Sequence, residues 1–176
     1  RQRNCFDIPS AEWSLFMYRI GDRVVYPMHG AGVIEAIEEK EILGKTQNYY
    51  VLKMPYGDMK VMVPMKTSGE IGIRDVIWRA EADKVLDEIR SYVIDETQSW
   101  SKRYRENMIK IKSGNIYEVA HVVKALMSRE HEKGLSTGER KMLSNAKQIL
   151  ISELVLAKGM QQKEIETLIE NIVVNE

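Results

Sequence analysis

The chain has 176 residues, 44% of them apolar and 30% charged, with 26 Lys+Arg against 26 Asp+Glu and a formal net charge of zero. That length holds one ordinary domain or two small ones, with enough apolar material for a core and a charge fraction typical of a folded soluble chain. No apolar run approaches the roughly 18 residues of a helical membrane span, and zero net charge excludes a strongly basic, tail-driven nucleic-acid binder while leaving room for a local basic face.

Residues 1–16, RQRNCFDIPSAEWSLF, show no clear period and carry the single cysteine, Cys5. One cysteine makes no internal disulfide, and these residues lack the basic-then-apolar order of a signal peptide. A reducing, cytoplasmic setting is expected. Met17 then opens the patterned stretch MYRIGDRVVYP. Met17 is expected to be the native start, with a foreign leader before it; a genuine N-terminal arm is the alternative. If the leader is foreign, thiol chemistry drops out.

From Met17 to Arg74 the pattern is β. Tyr18, Ile20, Val24 and Val25 precede the turn-rich stretch Pro27–Gly32, and Val33, Ile34, Ala36, Ile37 and Ile42 follow. Gly44 closes a hairpin, Tyr49–Met54 is β-branched and aromatic, and Pro55-Tyr56-Gly57-Asp58 is a turn. Met59–Pro64 comes next, with Pro64 ending a strand or lying on an edge. Four or five short strands in 17–74 predict a small, bent SH3- or Tudor-like barrel.

From residue 75 to 176 the period is helical. Val76, Ile77, Ala80, Val85, Leu86 and Ile89 form a first face, and the polar break Asp95–Ser99 leads into Trp100. Ser113-Gly114-Asn115 stops one helix and caps the next; Gly134 and the Ser136/Glu139 capping box repeat the device. A helix carrying Met142 to Leu156 runs to Gly159, and an acidic helix covers about 161–174. The fold class is therefore α+β, a small β barrel followed by an all-α bundle of about five helices.

Enzyme chemistry finds little support. His29, His121 and His131 share no zinc spacing, and Walker and CxxC motifs are absent. Gly30-x-Gly32 beside His29 admits a phosphate cradle, but strand-like Val33-Ile34 follows it and not a helix N-terminus, which favours a strand turn. A small hydrolase would have to depend on His29. No cofactor or metal is expected.

The unusual segment is 97–112, TQSWSKRYRENMIKIK, where Lys102, Arg103, Arg105, Lys110 and Lys112 face the single acid Glu106. Such local asymmetry marks a polyanion surface. On a helix, Tyr104, Met108 and Ile111 form the buried stripe, with Lys102, Arg103, Arg105 and Lys110 on its flanks. Trp100 either folds back over Tyr104 into the core or stands out as an apolar wedge between phosphate clamps, the device that unstacks a base step.

The runs GDRVVYPMHGAGVIEAIEEKEILGK, YYVLK and GDMKVMVP resemble the RNA polymerase-interacting domain of the CarD/CdnL family of bacterial transcription regulators. WSKRYREN, KSGN, EKGLSTGERKML and AKQIL follow in that family's order, so the resemblance spans Met17–Glu176. Transcription-repair coupling factors share the first half; the second half singles out CarD. The resemblance implies a two-handed adaptor. The β domain would add a strand edge to the polymerase β-subunit protrusion, with Lys40, Ile42, Met62 and Pro64 at the family's contact positions. Lys40 and Met62 stand where relatives carry arginine, and neither reproduces a guanidinium fork. The helical domain would meet promoter DNA at the upstream edge of the −10 element. Trp100 would be the wedge there, Lys102, Arg103, Arg105 and Lys110 the basic face, and Arg140 and Lys141 the reach from the next capped helix. A monomer is expected, a domain-swapped dimer being the alternative, with no membrane partner. The competing function is a protein–protein adaptor that makes no DNA contact.

Overall fold

A computed structural model describes residues 18–175, so the expectations for residues 1–16 and for Met17 lie outside it. The strands are β1 (Arg23–Tyr26), β2 (Gly30–Ile42), β3 (Lys45–Lys53), β4 (Lys60–Pro64) and β5 (Arg74–Asp75). They form one antiparallel sheet in the order β4-β3-β2-β1-β5. A two-residue turn joins β2 to β3, with Leu43 at φ 53° and Gly44 at φ 73°. Positive φ at both positions gives the turn the twist that hairpin strands require. An irregularity between Ile34 and Ala36 interrupts the register of the long β2, as a bulge does when it bends a strand.

Alternation sorts the sheet into two faces. One face buries Val24, Ile34, Tyr50, Leu52 and Val63 with Tyr18, Met65 and Ile73. The Tyr18 hydroxyl donates to the Ile73 carbonyl at 3.2 Å, and the Tyr50 hydroxyl accepts from the Tyr18 amide at 3.3 Å. Of β2, only Gly30–Val33 pair with β1, and of β3, only Tyr49–Lys53 pair with β4. The distal β2–β3 ribbon is paired only within itself among the described residues, and 38–46 are exposed throughout.

A short helix α1 (Ser68–Ile71) and the two-residue β5 were not expected from the sequence. The helical part comprises α2 (Arg79–Ser91), α3 (Trp100–Lys112), α4 (Ile116–Glu132), α5 (Thr137–Lys158) and α6 (Gln162–Val174). The caps of α4 and α5 are those the sequence predicts. Asn115 accepts from the Tyr117 amide at 2.9 Å, Ser136 and Glu139 form a complete capping box, and Gly134 (φ 78°) and Gly159 (φ 65°) end their helices. The core joins Val85 and Ile89 of α2, Ile111 of α3, Val119, Val123 and Leu126 of α4, Leu150 and Leu154 of α5, and Ile165 and Ile169 of α6. Among the described residues no helix is long and apolar enough to cross a membrane.

The outer face of the sheet, near β1 and the start of β2, packs on α5. The Ser152 hydroxyl accepts from the Ala31 amide at 2.9 Å. Gly30 (φ 117°) approaches so closely that a Cβ there would lie 2.5 Å from Ser152 Oγ. This supplies a packing reason for the Gly30-x-Gly32 pair, since a Cβ at Gly32 would meet the Lys53 carbonyl at 3.0 Å. Beside it Arg74 forks onto Glu153 at 2.6 and 2.9 Å, and Glu153, 0% exposed, also accepts from the Ile77 amide.

Candidate nucleic-acid and protein interfaces

α3 begins at Trp100 because Ser99 caps it, accepting from the Lys102 amide. The helix meets the bundle through a narrow stripe in which Asn107 and Ile111 are buried. Tyr104 and Met108, expected in that stripe, are only partly buried, so the inward face is rotated toward Arg103, Asn107 and Ile111. The rotation leaves an open groove of about 480 Å³ along the outer flank, lined by Trp100, Tyr104, Arg105, Met108, Ile109 and Lys112.

Trp100 neither enters the core nor stands free of the bundle. Its ring stacks on Tyr104, with centroids 5.3 Å apart and planes at 24°, yet it remains 50% exposed. The indole Nε1–H donates to Ser136 Oγ at 3.3 Å, which fixes the ring's edge against the start of α5. An added Cβ at Gly138 would lie 3.4 Å from Tyr104 Cε2, so α5 approaches the same aromatic pair. The indole is anchored along one edge and open on the other side.

The candidate cations separate. Arg105 is exposed on the groove and has no ion pair among the described residues; Lys112, counted as a charge but assigned no role from sequence, lines the groove with it. Lys102 is exposed, 3.8 Å from Glu106. Lys110 lies on another flank, donating to the Tyr92 hydroxyl at 3.1 Å with its ammonium over the Tyr92 ring. Arg140 and Lys141 are exposed in the first turns of α5. Lys141 follows Gly138 at helical spacing and so shares the face that meets Tyr104. Arg103 points inward instead. Its side chain is 13% exposed, with Nε donating to Glu139 at 2.8 Å and Nη1 to the Gln98 carbonyl at 3.3 Å.

Glu139, 2% exposed, is the other half of that pair and the N3 residue of the α5 capping box. Burial alone would raise its carboxyl; the Arg103 guanidinium and the Ser136 amide and hydroxyl outweigh that and hold it below the ordinary carboxylate value. Ser136 and Glu139 are visible in the sequence as a cap, but nothing local says that the cap also receives Trp100 and Arg103.

The second surface is on the sheet. Lys40 and Ile42 on β2, and Met62 and Pro64 on β4, lie opposite Gln47, Lys45, Val51 and Tyr49 of β3. Those β3 residues alternate with core-facing Tyr50 and Leu52, so all four candidates share the face turned away from the β core. Lys40 Nζ approaches Met62 Sδ at 3.3 Å and Glu38 at 3.4 Å. Pro64 ends β4, the outermost strand at this end of the sheet, where its missing N–H leaves no ladder bond unmade.

Comparison with known proteins finds a family match for each part of the chain. Residues 18–77 match the family described as the CarD-like/TRCF RID domain, and residues 84–170 match the CarD C-terminal domain. The Bacillus subtilis (strain 168) protein named "Putative transcription factor YdeB" is 44% identical over 151 residues, which cover 86% of this chain and 99% of that protein. With both family domains in order on one chain, this protein belongs to the CarD family of transcription regulators.

Proposed function

We propose that the protein docks on the RNA polymerase β-subunit protrusion through the sheet face and edge bearing Lys40, Ile42, Met62 and Pro64, and stabilises the promoter open complex by wedging Trp100 at the upstream edge of the bubble. The observation that carries this reading is the half-open indole, held from behind by Tyr104 and Ser136 and flanked in its groove by Arg105 and Lys112. Lys102, Lys141 and Arg140 offer further cations near the same end of the bundle, while Lys110 is more remote.

Magnitudes explain why both hands are needed. Neutralising about four phosphates gives a salt slope of about −3.6, and non-specific DNA binding has dissociation constants of about 10⁻⁴–10⁻⁶ M. A chain of zero net charge belongs at the weak end. Docking on polymerase raises the local DNA concentration to the order of millimolar, enough to fill a weak site. Stacking of the indole on an opened base edge contributes roughly 1–3 kcal/mol and exists only when the DNA is open or kinked. The protein thereby favours the open complex by differential binding, with no base read.

The test is Trp100→Ala. Polymerase binding is expected to persist while open-complex lifetime, measured by challenge with a competitor, falls about tenfold for each 1.4 kcal/mol of lost stacking. Equal lifetimes for variant and wild type would remove the wedge.

A further inference from the structure

We propose that Arg103 is a positioning residue for Trp100 and not a phosphate clamp: it holds the capping box of α5 in the place where Ser136 receives the indole. This deepens the proposed function and rests on it for the DNA readouts. Two residues connect the guanidinium to the wedge. Arg103 Nε binds Glu139 Oε1, Glu139 Oε2 accepts from the Ser136 hydroxyl at 3.2 Å, and Ser136 Oγ accepts from Trp100 Nε1. Arg103 and Trp100 also occupy i and i+3 on the same helix, so the chain of contacts closes on itself.

The same geometry argues against a clamp. Two of the three guanidinium nitrogens already have acceptors inside the protein, and the third, Nη2, is buried. Reaching a phosphate would strip Glu139 of its counter-charge while that carboxylate stays buried, a strongly unfavourable exchange. Arg105, two residues on, is exposed on the groove and meets none of these obstacles.

The full-length chain carrying Arg103→Gln separates the two roles. Salt dependence of binding to a forked promoter duplex is measured first. A lost clamp lowers the slope by about 0.9, whereas a lost positioning residue leaves the slope unchanged and weakens binding. The expected weakening is about two- to 150-fold, the range of couplings between contacting residues. In the Trp100→Ala background, Arg103→Gln is expected to have no further effect. In a Trp13→Phe, Trp78→Phe chain, acrylamide quenching of the remaining indole is expected to rise on Arg103→Gln. Should Arg103→Gln not fold, Arg103→Gln combined with Glu139→Gln removes both charges together and is measured in its place. A slope lowered by about 0.9, or effects of Arg103→Gln and Trp100→Ala that simply add, overturns the proposal. Failure of the wedge itself shows differently, as Trp100→Ala binding forked DNA like the wild type, and the quenching arm contains no DNA.

Discussion

Arg103 and Arg105 are two residues apart in a run of like charge, yet one is drawn into the protein and the other left in solvent. The difference is helical phase. Two residues rotate a side chain by about 200°, so only one of the pair can face α5. Charge density in the sequence marked the region and could not mark the phase, because phase depends on which neighbour the helix meets. Glu139 is the residue that decides it, and its depressed carboxyl gives a pH prediction. A carboxyl lowered on folding contributes stability that is complete above its unfolded value and is lost as pH falls through the folded one. The stability difference between wild type and Glu139→Gln, from urea unfolding, is expected to be largest above about pH 5 and to shrink steadily on acidification. A difference independent of pH from 7 to 3 would mean that Glu139 is not held as its carboxylate.

At the scale of elements, the β2–β3 ribbon stands out. Leu43 is 97% exposed at its tip and adopts φ 53°, a conformation that costs a branched apolar residue about 1–2 kcal/mol. Leu43→Asn would create the Asn-Gly pair this turn favours, and is expected to raise stability by roughly 0.5–1 kcal/mol, measured by chemical denaturation. An unchanged or lower stability would show that the tip carries no strain. The hairpin itself was legible from Gly44 and the flanking β-branched residues, and the helix caps from Asn115 and Ser136. α1 and β5 were not, since four residues and two residues are too short for any period. The buried stripe of α3 was misphased for a related reason. A buried Asn107 and a paired Arg103 look polar in sequence, while the partly open Tyr104 and Met108 look like core.

For the molecule as a whole, the joint between sheet and bundle is a polar one. Arg74→Ala leaves Glu153 buried without its fork, and is expected to cost about 3 kcal/mol, the low end for a broken buried pair because Arg74 is itself partly solvated. Denaturation followed by strand-sensitive and helix-sensitive probes is expected to shift from one transition toward two; a single unshifted transition would show the pair to be dispensable. The sequence carried no sign of this joint, since Arg74 and Glu153 are far apart in the chain and nothing local pairs them. Its geometry has a consequence for reach. α5 is a single helix of 22 residues that receives Trp100 at its Ser136 cap and holds the sheet at Ser152 and Glu153. At about 1.5 Å per residue those two stations are separated by ~24 Å, close to seven base steps of about 3.4 Å. On the proposed function, α5 is a gauge bar: the length of one helix, and no sequence on the DNA, sets how far from the root of the polymerase-docking sheet the protein props the duplex apart.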